Sequence, residues 1–152
     1  MPPTPVTTPA MKSPALRPSP IVALGARVHV FLRPERREQF TRLFRDVLGC
    51  SVEELEFGLP HPILWVPLPD GSGFSIEFSE LAPDPGPEPA DNDRQAFRGA
   101  WIEFRTPDLA GCLQRLDEAA VPSFRHPGSS HRYFSAPGGQ VFRMIDIDYQ
   151  GP

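Results

Sequence analysis

The sequence has no apolar run near the roughly 18 residues that a membrane helix needs, so we expect no membrane span. It is also short of positive charge: the formal net charge is −4, which argues against a nucleic-acid surface. The beginning lacks the apolar stretch of a signal peptide. The only cysteines, Cys50 and Cys112, are expected to be free thiols of a cytoplasmic protein.

Two familiar catalytic signatures are missing as well. No serine or cysteine lies in a nucleophile elbow or beside a recognisable base motif, which gives nucleophilic catalysis little support. The pair Gly138-Gly139 is not followed by a helix and therefore predicts a turn between strands, not a phosphate-binding loop.

Proline, in contrast, is abundant, with 21 residues, and it divides the chain. Seven prolines in the first twenty residues predict an extended tail over 1–22. A second proline-rich stretch, 81–97, is acidic and predicts a linker. Two segments of similar pattern, 23–80 and 98–149, are left to form the folded part.

The first segment begins with a strand and a helix, in the stretch from Arg27 to Cys50. His29 and Phe31 alternate with three aliphatic residues, which predicts a strand with those two side chains on its less aliphatic face. Pro34 predicts the first residue of a helix and Gly49 its C-terminal cap. An apolar stripe at three- and four-residue intervals connects them, formed by Phe40, Leu43, Phe44, Val47 and Leu48.

Three further strands are predicted in the first segment, in SVEELEFG, ILWVPL and FSIEFSE. The last alternates strictly and gives Glu77 to its polar face, after a turn at 70–73. The second segment repeats the pattern less clearly. GAWIEFRT predicts a strand with Trp101, Glu103 and Arg105 on one side, and Thr106 predicts the N-cap of the next helix. RYF and VFRMIDID predict later strands. Two similar units, each with one helix and several strands, indicate an α+β domain.

Four stretches of the sequence resemble landmarks of the vicinal oxygen chelate superfamily, which includes glyoxalases, bleomycin-resistance proteins and extradiol dioxygenases. They are HVFLRPERREQFTRLFRDVLGC, FSIEFSE, WIEFRTPDLAGCLQRLDEAAV and FSAPGGQVFRMID. The resemblance implies two pseudo-symmetric βαβββ modules, with curled mixed sheets around a cavity and helices on the outer face. It also implies a homodimer.

In metal-dependent members of that superfamily, side chains from the first and last strand of each module hold a divalent ion. The resemblance places His29 and Glu77 at the first two ligand positions, and Trp101 and Arg143 at the other two. Neither indole nor guanidinium ligates a cation. We therefore expect no metal or other cofactor; if a metal binds, His29 and Glu77 would hold it.

Two ideas extend this site. Arg143 could form an ion pair with Glu77, so that its charge replaces that of the metal. Phe31, Trp65 and Trp101 could line an aromatic cleft that stacks on flat ligands. Further polar contacts at the mouth of the cleft are expected from Glu103, Arg105, His131 and Arg132.

An alternative metal set would add a histidine to His29 and Glu77. The candidates are His61, His126 and His131, although the spacing of the last two is not a known ligand spacing.

Three functions remain open from the sequence. The leading one is a glyoxalase-like small-molecule binding protein with a degenerate metal site, of the antibiotic-sequestering kind, with no nucleic-acid or membrane partner. The second is a metal-dependent lyase, isomerase or dioxygenase that uses His29 and Glu77. The third is an interaction module whose proline-rich tail engages partners.

Overall fold

The computed structural model describes residues 27–84, 99–126 and 128–151. The predicted tail over 1–22 and most of the predicted linker over 81–97 lie outside these residues. Within the three ranges, no helix combines the length and the apolar character needed to cross a membrane.

The first module is a four-stranded sheet with one helical segment. Its strands are β1 (Arg27–Leu32), β2 (Glu53–Leu55), β3 (Ile63–Pro67) and β4 (Gly73–Phe78). They lie in the order β1-β4-β3-β2, with β1 and β4 parallel and the other pairs antiparallel. The predicted β-α-β-β-β order is confirmed.

The helical segment after β1 changes its winding along its length. It opens with a 3-10 turn at Pro34–Arg36, continues as α1 (Arg37–Thr41) and ends in a π-helical stretch at Arg42–Val47. In that stretch the amide of Leu48 donates to the carbonyl of Leu43, five residues earlier, at 3.0 Å. Gly49 then adopts the left-handed conformation, with φ of 72°, which is the expected conformation of a glycine that ends a helix.

The second module repeats this arrangement. Its strands are β5 (Trp101–Thr106), β6 (Ser123–Phe124), β7 (Arg132–Ser135) and β8 (Val141–Asp146), in the order β5-β8-β7-β6, and its helix is α2 (Leu109–Glu118). The prediction of Thr106 as N-cap is wrong. Asp108 caps α2 by accepting from the amide of Gly111 at 3.0 Å, while the Thr106 hydroxyl accepts from the amide of Asp108. The negative charge of Asp108 also interacts favourably with the positive, N-terminal end of the helix dipole.

One apolar core joins the two modules. Phe44 from the helical segment lies at its centre, with ring centroids 5.1 Å from Phe74, 6.1 Å from Phe104 and 5.4 Å from Phe142. Phe74 belongs to the first sheet and the other two to the second. Since alternate strand residues point to opposite faces, each sheet has one face in this core and one directed away from it. We call the latter the outward face.

Of the predicted site residues that lie in strands, all except Arg132 are on the outward faces, and both helices lie on the opposite, core side. The helices contribute Phe40, Leu43, Phe44, Cys112 and Leu116 to the core. The two mixed sheets remain separate and are not closed into one barrel. The predicted α+β class with paired βαβββ modules is confirmed.

Candidate functional site

A row of side chains crosses the outward face of each sheet at the same level. The strand register places His29, Ser75, Trp65 and Glu53 side by side across the first sheet, and we call them the first row. The second row crosses the other sheet in the same way and consists of Glu103, Arg143, Tyr133 and Phe124. Strand pairing alone therefore gathers residues that are far apart in the sequence.

In the first row, both ring nitrogens of His29 are engaged. Nδ1 lies 2.7 Å from the Ser75 hydroxyl, and Nε2 lies 3.2 Å from Oε2 of Glu77. About a third of the His29 and Glu77 side chains is exposed, at 36% and 32%. Phe31 packs edge-on against the His29 ring at 4.7 Å and is itself 53% exposed. This is a polar group beside an open apolar surface.

Trp65 lies over the backbone of the neighbouring strand. A Cβ atom on Gly73 would come within 2.5 Å of the Trp65 ring, so the glycine is needed for this close approach. The ring is half-buried, and it lies on the outward face as predicted.

The second row is organised around Arg143, which is only 9% exposed. Its Nε donates to Oε2 of Glu103 at 3.1 Å, and its Nη2 donates to the same oxygen. The guanidinium lies 4.4 Å from the centre of the Trp101 ring, in a cation–π contact. Arg105 donates to the other Glu103 oxygen at 3.2 Å. One carboxylate is thus held between two arginines.

These contacts shift the pKa values of Glu103 and Arg143. Partial burial by itself raises the pKa of the Glu103 carboxyl, but the hydrogen bonds and charges of Arg143 and Arg105 outweigh it, so the pKa lies below its ordinary value. Burial opposes the charge of Arg143, while its bonds to Glu103 and Tyr133 raise its pKa. Both groups therefore stay charged, and with Arg105 the three have a net charge of +1.

Aromatic rings complete the second row. Tyr133 is buried, stacks on Phe124 at 5.8 Å and meets the Trp101 ring edge-on at 6.0 Å. His126 packs against Tyr133 at 4.5 Å. Ser75, Tyr133 and Phe124 were not predicted as site residues. Ser75 was detectable, because it alternates with core residues in FSIEFSE next to Glu77.

Two predicted contacts are corrected by this geometry. The proposed ion pair of Glu77 and Arg143 does not form: each has its partner in its own module, since the two outward faces lie on different sides of the shared core. The prediction that Arg132 lies at the mouth of the cleft is also wrong. Arg132 donates to Asp117 of α2 and to Ser123, because it lies on the core side of β7.

The residues do not fit a divalent metal. In the part of the chain that the structure describes, no three His, Cys, Asp or Glu side chains come together to hold an ion. The remaining predicted donors lie elsewhere: His61 packs against Phe78, and His131 packs against Tyr149. At the second row, the charge of Arg143 opposes a cation.

Comparison with known proteins gives structural matches only. No protein-family model and no curated protein matches the sequence. Among solved structures, an antibiotic binding protein from Streptomyces sp. CB03234, TnmS3, has a TM-score of 0.54 at 18% identity, over 83% of this chain and 97% of that chain. A glyoxalase/dioxygenase from Nostoc punctiforme has a TM-score of 0.59 at 16% identity, over 90% and 98%. The oxidase ChaP-H2 has a TM-score of 0.56 at 21% identity, over 86% and 98%. The fold is thus that of glyoxalase, bleomycin-resistance and dioxygenase proteins, as the sequence resemblance implies.

Proposed function

We propose that this protein is a metal-independent member of the vicinal oxygen chelate superfamily that binds a small aromatic anion. The observation that carries the proposal is the surface on either side of the second row, where Trp101 is 42% exposed and the Arg105 side chain is 49% exposed. The guanidinium of Arg143 contacts the Trp101 ring within the protein. A flat ligand stacks on the accessible part of that ring, and its anionic group pairs with Arg105.

The site is completed by a second copy of the chain. Within one chain the two rows lie on different sides of the core and cannot enclose a ligand between them. In a homodimer, the first row of one copy faces the second row of the other, and Phe31 and Trp65 cover the ligand. The charges are complementary, since Glu53 and Glu77 on the first sheet meet Arg105 on the second.

The similarity in fold to TnmS3, described as an antibiotic binding protein, supports a sequestering role for this chain. The antibiotic or other natural ligand would be aromatic and negatively charged. The donor chemistry of the two rows supports binding without a metal, because His29 and Glu77 offer too few ligands and Arg143 is cationic.

The test is a titration with 2-naphthoate, followed by calorimetry, with 2-naphthylmethanol as the uncharged comparison. We expect the carboxylate to bind more tightly, and Arg105→Gln to weaken its binding by about tenfold, as loss of one charge-assisted pair implies. Arg45→Gln is the matched control, since Arg45 is an exposed arginine of the helical segment that pairs with Asp46. Equal binding of both ligands, or no effect of Arg105→Gln, contradicts the proposal.

Two further measurements separate the alternatives. Sedimentation equilibrium should give twice the 16.9 kDa of one chain. Elemental analysis after dialysis should give no stoichiometric zinc, iron, manganese or nickel. One equivalent of metal that disappears in His29→Ala would instead favour a metal-dependent lyase, isomerase or dioxygenase.

A further inference from the structure

We propose that Ser75, His29 and Glu77 form an acyl-transfer site in which Ser75 is the nucleophile, and that its substrates are activated carboxylic esters. The three side chains come from two adjacent parallel strands, β1 and β4. In the proposed homodimer this face also covers the bound ligand, but the hydrogen bonds that define the acyl-transfer site all lie within the first sheet of one chain.

The hydrogen bonds define the role of each group. An ionised carboxylate only accepts, so the bond between Glu77 and Nε2 requires the proton of a neutral His29 ring to be on Nε2. Nδ1 then carries the lone pair and accepts from the Ser75 hydroxyl at 2.7 Å. A serine that donates to an imidazole, which is oriented by a carboxylate, is the arrangement that activates a hydroxyl.

The surroundings permit a substrate to approach. His29 and Glu77 are partly exposed, and Ser75 is half-buried in the middle of β4. Phe31 lies beside His29 and Glu77: its ring contacts the His29 ring, and it is paired with Glu77 in the strand register. Its exposed ring offers an apolar surface for the acyl chain.

The reaction balances with water as the only co-reactant. Oγ of Ser75 attacks the ester carbonyl and its proton moves to Nδ1 of His29. His29 then gives that proton to the leaving oxygen, so the C–O bond breaks, the alcohol or phenol leaves, and acyl–Ser75 and a neutral His29 remain. His29 then takes a proton from water, which attacks the acyl-serine and releases the acid. The proton returned to Oγ regenerates the site.

The same sheet limits the range of substrates. The amides of β4 face β1 and β3 in the ladders, so the strand has few free N–H groups for a developing oxyanion. Without such donors, only esters with good leaving groups should react. We therefore expect turnover of p-nitrophenyl esters and none of amides.

The experiment is a rapid-mixing assay with p-nitrophenyl acetate, followed by intact-mass and peptide mass spectrometry. We expect a burst approaching one p-nitrophenolate per chain and an acetyl group on the peptide that contains Ser75. Ser75→Ala should abolish both. His29→Gln should slow acylation by about a hundredfold, as loss of a general base implies, and Glu77→Gln should slow it less.

Controls distinguish this from nonspecific acylation. The exposed Ser51 is the matched serine, and Ser51→Ala should react as the unmodified protein does. A fluorophosphonate, which labels activated serines, should modify Ser75 and fail with His29→Gln. An acetyl group found elsewhere, an unchanged burst in Ser75→Ala, or no adduct in either assay overturns the proposal. Circular dichroism of each variant shows whether the fold is retained.

Discussion

The replacement of Phe44 by alanine tests the shared core most directly. The ring is fully buried and contacts rings from both modules, with centroids 4.5 Å from Phe40 and 5.4 Å from Phe142. Truncation of a buried phenylalanine costs about 3–5 kcal/mol, because transfer free energy is lost and a cavity remains. Aromatic pairs add about 0.5–1.5 kcal/mol each, so we expect the upper part of that range.

The assay uses the two tryptophans as separate probes. The sequence contains two, and one lies in each module: Trp65 in the first sheet and Trp101 in the second. Variants with Trp65→Phe or Trp101→Phe therefore report the unfolding of a single module by fluorescence in urea. If one core holds both, the two transitions coincide, and Phe44→Ala lowers both free energies of unfolding by the same amount.

Phe40→Ala serves as the comparison. Phe40 is equally buried on the same helical segment, and the rings it contacts, Phe44 and Phe74, belong to the first module. Phe40→Ala should also lower the free energy of unfolding by several kcal/mol, but it removes no ring contact with Phe104 or Phe142. Transitions that separate in the unmodified protein, or a Phe44→Ala effect seen by Trp65 alone, would refute the idea of one cooperative core.

Three smaller changes have defined expectations. Glu103→Gln should cost roughly 1–3 kcal/mol at pH 7, since bonds to charged groups are strong. Because the folded pKa of Glu103 is lowered, this stabilisation is present above the unfolded value of about 4.3 and is lost as the pH falls through the folded value. In urea denaturation, the difference in free energy of unfolding between the unmodified protein and Glu103→Gln should therefore disappear below about pH 4.3. A difference that stays constant with pH contradicts this. Asp108→Ala should lower the free energy of unfolding by about 0.5–2 kcal/mol through loss of the bond to Gly111, whereas Asp108→Asn should retain most of it. Gly73→Ala should destabilise by about 1–3 kcal/mol, because its Cβ meets the Trp65 ring; no change would mean that the ring moves freely.

The periodic parts of the sequence predicted the fold well. Strict alternation in FSIEFSE corresponds to β4, and the stripe that includes Phe40 and Phe44 is the buried side of the helical segment. Both signals are local, because a side chain's face follows from its spacing along the chain. The cap of α2 was missed because Thr106 and Asp108 are both good caps and only the backbone decides between them.

The site was less accessible from sequence, because it depends on which strands pair and how the modules face each other. Glu77 and Arg143 were expected to meet, yet each is paired within its own sheet. Glu103 lies opposite Arg143 through the register of β5 and β8, which no local pattern contains. The partner of a charged side chain is a property of the topology.

The placement of the two rows on different sides of a common core has a consequence for divergence. Side chains of one row can be exchanged without altering Phe44, Phe142 or the other rings that hold the modules together. Exchanges in one row also leave the other row's contacts unchanged, since each row's bonds lie within its own sheet. The chain therefore presents two surfaces that can vary over one shared interior, so new outward residues require no change in the core.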